Sequence, residues 1–221
     1  MKVVWSPENA SKAYIDTVKS CELYQESGVA ELISAMAAGW NSKLIVETWS
    51  HGNFTPRSIG LAIAARHTSG RHVCVVPDDR SRNDYMQAMS SAAAGVPLPE
   101  IIVGEPEEVM AEIDGVDFLV VDSRRRDFSR FLRLARLSSR GAVLVCKNAE
   151  VKTSSFGFKW RGVLDGGKYR VVRTAFLPVG PGLDIAHVST SSSSVALTTK
   201  KKRWIRHVDQ ISGEEHVIRT I

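Results

Sequence analysis

A chain of 221 residues suits one large domain, or one domain with a small appendage. With 43% apolar and 24% charged residues it can bury a real core, which excludes wholesale disorder. The net charge of +5 comes partly from two cation clusters, Arg124-Arg125-Arg126 and Lys200-Lys201-Lys202-Arg203; these favour an anionic small molecule, and an excess this modest makes nucleic acid the weaker expectation.

The first residues, MKVVWSPENASKAY, hold no apolar signal-peptide core and no small-residue cleavage site. No run approaches the roughly 18 consecutive apolar residues of a membrane span, so neither secretion nor membrane insertion is expected. Ser6-Pro7-Glu8 opens a helix, with serine as N-cap and proline at the first helical position, and Ala10 to Val18 continue it. A second helix runs from Val29 to Met36 and closes at Gly39. Leu44-Ile45-Val46 reads as a short buried strand, and Ser58 to Ala65 as a helix ended by Gly70.

The alternation then repeats. Val73 to Val76 is a strand and Asn83 to Ala94 a helix; Ile101 to Val103 is a strand and Pro106 to Ile113 a helix. Phe118 to Val121 is a strand, Asp127 to Leu137 a helix, and Ala142 to Cys146 the fifth strand. These runs are apolar throughout rather than alternating, so both faces of their sheet must be covered. Single helices between strands force right-handed crossovers, which gives a doubly wound, mostly parallel α/β sheet. Tyr169 to Phe176 and Ile185 to Ser189 form an expected antiparallel edge across Pro178 to Gly182. Domain limits follow: 1–188 Rossmann-like, 189–202 a Ser/Thr-rich and basic linker, 203–221 a β-ribbon appendage turning at Ser212-Gly213.

Cys21, Cys74 and Cys146 lack zinc-ligand spacing, and their odd number argues against a disulfide framework. A reduced, cytoplasmic compartment is expected, with Lys200 to Arg203 as a weak nuclear-import signal. His67, His72, His187, His207 and His216 read as surface or strand-end residues.

The order and spacing of these segments resemble the caffeoyl-CoA and catechol O-methyltransferase branch of the class I S-adenosylmethionine-dependent methyltransferases. The resemblance covers about Ala30 to Val188. It rests on Ile45-Val46-Glu47-Thr48-Trp49-Ser50-His51-Gly52, on Asp117 to Asp122 with Asp127-Phe128, on Lys147-Asn148, and on Leu177-Pro178-Val179-Gly180. The opening from Trp5-Ser6-Pro7 to Lys19, with the Glu47-Thr48-Trp49-Ser50 turn, is similar to a plant family of unknown function within that superfamily.

The resemblance implies S-adenosylmethionine as cofactor, bound beyond the carboxyl ends of the strands. Glu47, Trp49, Ser50, Gly52, Asp78, Gly104, Glu105 and Asp122 would line that site. Trp49 stands where the family has a leading glycine, Asn53 where it has a second, and Gly52 is shifted by one. The indole either fills space that the methionine moiety needs or packs as core. Pro77 replaces the usual ribose-binding acid, so Asp78 either rescues that contact or is a solvated turn carboxylate.

Relatives hold a divalent cation with an aspartate after one strand and an Asp-Asn pair after the next. Asp122 and Asn148 fit that pattern, but Lys147 replaces the second aspartate. An ammonium repels a nearby cation and offers no oxygen ligand, so no catalytic metal is expected. Lys147 is then either a general base oriented by Asp122 or half of a buried ion pair. His51 is a second candidate base. Arg124, Arg125 and Asn148 are candidate substrate contacts, the arginines suiting a carboxylate or phosphate. Part of the arginine run also continues as a helix face through Arg126, Arg130 and Arg133.

Three functions remain: a metal-independent methyltransferase of a small anionic molecule, a methyltransferase-fold binding or regulatory protein without catalysis, and, with least support, a nucleic-acid-associated protein. A homodimer is left open.

Overall fold

A computed structural model describes residues 4–22, 24, 28–49, 56–92, 95–149, 159–164 and 168–190, with the backbone of 204–208 and 215–219. Two compact units result, 1–191 and 192–221. The first begins α1 (Pro7–Ser20), α2 (Val29–Gly39), β1 (Leu44–Thr48), α3 (Pro56–Thr68), β2 (Arg71–Val76), α4 (Asp79–Ala92), β3 (Glu100–Val103) and α5 (Pro106–Glu112). It continues β4 (Asp114–Val116), β5 (Phe118–Asp122), α6 (Phe128–Leu134), β6 (Arg136–Leu137), β7 (Ala142–Lys147), α7 (Trp160–Leu164), β8 (Tyr169–Leu177) and β9 (Leu183–Thr190).

Seven strands form one sheet in the order β3-β2-β1-β5-β7-β9-β8. The first five are parallel neighbours; β9 runs antiparallel to β7 and to β8, and so makes the mixed edge. This is the Rossmann-like methyltransferase architecture. The chain moves outward from β1 through β2 and β3, then returns to the other side of β1 with β5. Between β1 and β5 the strand order therefore reverses, and their carboxyl ends diverge into the crevice where such sheets take ligands.

Strand parity divides the interior into two cores. Ile45, Cys74, Val120 and Val145 face α1, α2 and α3, whereas Val46, Val75, Leu119 and Leu144 face α5 and α6. Buried Cys21 and Cys74 belong to the first core and buried Cys146 to the second, none of them in a disulfide. Gly60 of α3 lets two helices meet closely, since a Cβ there would lie 2.7 Å from the Ala30 carbonyl oxygen. Among the described residues no helix is long and apolar enough to cross a membrane.

Several boundaries differ from the sequence expectation. The helix expected from Asp127 to Leu137 stops at Leu134, because Ala135 turns to φ −58°, ψ 124°. Arg136 and Leu137 instead pair in parallel with β4, and the Leu137 amide donates to the Tyr169 hydroxyl at 3.0 Å. The helix expected from Asn83 begins at Asp79, since the Asp78 carboxylate accepts the Ser81 amide at 2.6 Å. The short α7 was not expected at all. In the second unit, β10 (Trp204–Val208) and β11 (Glu215–Arg219) pair antiparallel.

Candidate functional site

The carboxyl ends of β5 and β7 bring four of the expected site residues together, Asp122, Arg124, Lys147 and Asn148. Asp122 and Lys147 are register partners at the ends of adjacent strands. The Lys147 ammonium lies 3.9 Å from Asp122 Oδ2, with only 3% and 2% of the two side chains exposed. Asp122 Oδ1 accepts the Asn148 amide at 2.8 Å and the Arg124 backbone N–H at 3.0 Å; Oδ2 accepts Arg124 Nη2 at 3.0 Å. Asn148 is left-handed at φ 59°, a conformation asparagine tolerates better than most residues. Its carbonyl receives the Ser123 hydroxyl at 2.6 Å, which closes the turn after β7 onto the turn after β5.

Burial alone would raise the Asp122 pKa, but hydrogen bonds from Arg124 and the charge of Lys147 hold it below the ordinary aspartate value. Lys147 shows the converse. Burial lowers its pKa, and nearby Arg57 adds to that, while the charges of Asp122 and Glu47 only partly restore it. The arrangement is a carboxylate flanked by cations, at the position where the resemblance implies oxygen ligands for a metal. Among the described residues no group of three or more His, Cys, Asp or Glu is arranged to hold an ion.

Glu47 lies on the same face of the sheet, one strand away. Its Oε1 accepts the Tyr85 hydroxyl at 3.0 Å and lies 3.1 Å from His72 Nε2. Burial pushes its pKa up, yet the His72 bond and charge, with Lys147 behind them, leave it below the ordinary glutamate value. Of the two placements expected for His72, surface or strand end, the structure takes the latter. It is the second residue of β2 and is buried, because its side chain follows the inward parity of Cys74 and Val76. Tyr85 and buried Arg57 were not anticipated, and no motif marks them.

Trp49 is buried edge-on against Tyr85, ring centroids 5.4 Å apart, inside the core that also holds Ile45 and Ile63. Its indole N–H has no hydrogen-bond partner among the described residues. Its carbonyl accepts Arg125 Nη1 at 3.3 Å, while the same guanidinium forks onto Asp127 at 2.9 and 2.6 Å. Arg125 thus ties the turn after β5 to the end of β1, across the switch point. Asp78 is exposed and caps α4, and Gly104 and exposed Glu105 lie at the end of β3. Ser50, His51 and Gly52 lie outside the described residues.

No curated protein matches the chain by sequence. The family described as "Protein of unknown function (DUF1442)" matches residues 1–220. Among solved structures, a Podospora anserina methyltransferase with SAH bound is similar at TM-score 0.55 and 12% identity, covering 86% of this chain and 91% of that one. An O-methyltransferase of tomaymycin synthesis from Streptomyces achromogenes, in complex with SAM, reaches TM-score 0.51 and 22% identity over 85% and 92% of the two chains. A putative caffeoyl-CoA O-methyltransferase from Staphylococcus aureus gives 0.52 and 15% over 78% and 91%. At these identities the likeness establishes the methyltransferase fold.

Proposed function

We propose, from the premise that this chain belongs to the DUF1442 family, that it binds S-adenosylmethionine in the crevice between β1 and β5 and serves a small anionic acceptor without a divalent metal. The observation that carries this reading is the Lys147 ammonium beside a fully partnered Asp122, where relatives hold the ion. An internal cation there makes an external one electrostatically redundant.

The buried placement of Trp49 supports cofactor entry, because its ring packs inward on Tyr85. Asp78 and Glu105, exposed at the ends of β2 and β3, are the carboxylates suited to the ribose and adenine side. The cofactor, when bound, supplies the methyl group. Lys147, made less basic by burial, is suited to taking a proton from an acceptor hydroxyl, with Asp122 orienting it. Half-exposed Arg124 is suited to an acceptor carboxylate or phosphate.

A second reading, a methyltransferase-fold protein that binds without transferring, is favoured by the enclosure of Lys147. A base must reach its proton, and this side chain is almost wholly covered.

The test is calorimetric titration with S-adenosylmethionine and S-adenosylhomocysteine, with and without magnesium, followed by an acceptor screen. Micromolar binding that ignores magnesium is the expected result; no heat at millimolar ligand sinks both readings. Transfer that disappears in Lys147→Met while binding persists selects the enzyme. Binding with no transfer to any phenolic or carboxylic acceptor selects the silent protein.

A further inference from the structure

Helix α1 is amphipathic the wrong way round. The side chains it turns toward α2 and α3 are small: Ala10, Ala13 and Thr17 are its buried residues. Its large apolar side chains face outward, with Tyr14 48%, Ile15 51% and Val18 43% exposed. With Ser11 they occupy positions i, i+3, i+4 and i+7, one continuous stripe, and exposed Val4 and Trp5 lie just before it. A lone monomer gains nothing from displaying such a stripe, and contiguous exposed apolar surface marks an interaction site.

The helix is also fixed to the body. The Ser6 amide donates to the Gly39 carbonyl at 2.7 Å, and Thr17 Oγ1 donates to Ser34 Oγ at 2.8 Å. Asp16 receives Arg66 at 2.9 Å and lies 2.8 Å from His67, while Trp5 packs edge-on against Trp40. The stripe is therefore a presented surface rather than the underside of a detached arm.

Charge identifies the occupant. Along one flank of the stripe stand Glu8, Lys12 and Lys19, at i, i+4 and i+11, while Asp16 lies further round, turned to Arg66 and His67. When two copies of a helix pair antiparallel about a two-fold axis, the same flank of each meets the other. Glu8 of one copy then opposes Lys19 of the second, and the two-fold axis repeats that pair. A parallel pairing would turn this flank against the opposite one, where Pro7, Tyr14 and Cys21 carry no charge, and the Glu8–Lys19 pairs would not form. With an acid among two lysines the flank holds only one net positive charge, which suits a second copy and not an anionic lipid surface, whose attraction needs excess cations.

We propose that the outer face of α1 is a self-complementary interface through which two copies of this chain associate, α1 against α1 in antiparallel orientation. Within the monomer Lys12 already holds Glu8 at 2.6 Å. That pair is exposed and worth little, so re-partnering it across the dimer costs little. The proposal is independent of the cofactor reading.

Sedimentation equilibrium of the full chain over a concentration series tests it, with thermal melting as the check on folding. The wild type is expected to dimerise, and Ile15→Glu to weaken the dimer about tenfold or more, the equivalent of one large apolar contact. Lys19→Glu alone weakens it about two- to fivefold, and Glu8→Lys with Lys19→Glu restores it. A chain monomeric at every concentration, or a dimer indifferent to Ile15→Glu, overturns the proposal. A dimer broken by Ile15→Glu but blind to the charge changes overturns the antiparallel pairing.

Discussion

Glu47 and Asp122 are both buried carboxylates on the same face of the sheet, yet they are held in opposite ways. Glu47 is enclosed by Tyr85 and His72, deep within the first core. Asp122, at the end of its strand, is held by Asn148, by the buried cation Lys147, and by Arg124, which is itself half in solvent. The first carboxylate is committed to the fold. The second has one partner that a ligand can compete for. The contrast separates what this sheet needs in order to stand from what it leaves available for binding.

The largest expected effect comes from breaking the enclosed cluster. Glu47→Ala leaves His72 and Tyr85 without their buried acceptor and removes a nearby negative charge from Lys147, and is expected to cost about 3–5 kcal/mol in urea unfolding. Asp122→Asn keeps the shape and most hydrogen bonds but removes the charge facing Lys147, at about 1–3 kcal/mol. Arg124→Ala, on a half-exposed pair, is expected to cost below about 1 kcal/mol. If Arg124→Ala costs as much as Glu47→Ala, the contrast between the two carboxylates fails.

Acid sharpens the same comparison. Both carboxylates titrate below their ordinary values when folded, so each contributes stability above its unfolded pKa and loses it as pH falls through the folded one. Unfolding curves over a falling pH series should therefore slope less steeply in Glu47→Gln than in the wild type. Lys147 acts in the alkaline range with the other sign. Its folded pKa is lowered, so its burial penalty is relieved as pH rises toward the ordinary lysine value. The wild type should gain stability relative to Lys147→Met over that interval; a constant difference would mean the lysine titrates as it does in water.

How far the sequence discloses this depends on distance along the chain. Val73 to Val76, Phe118 to Val121 and Ala142 to Cys146 are uninterrupted apolar runs, and strands covered on both faces leave that mark. Ser6 and Pro7 announce α1 through local capping chemistry. The juxtaposition of Asp122 with Lys147 is also legible, because each ends its strand and the strands are neighbours. The union of Glu47 with His72 and Tyr85 is not, since it spans 25 and 38 residues and depends on strand parity and on the pitch of α4. For Trp49 the sequence supports two placements equally, and only the packing against Tyr85 separates them. The β4–β6 pair, of three and two residues, is shorter than any period that could reveal it.

The thiols divide between the layers: Cys74 lies under the α1–α3 layer, and Cys146 faces the α5–α6 layer. Burial, reinforced by the charge of Glu47, pushes the Cys74 thiol well above its ordinary pKa, so it offers almost no thiolate while folded. Alkylation at either site must therefore wait for its layer to open, and the two reaction rates become separate clocks. Equal rates under native conditions would mean that the sheet releases both helical layers in one event; unequal rates would identify the layer that lifts first.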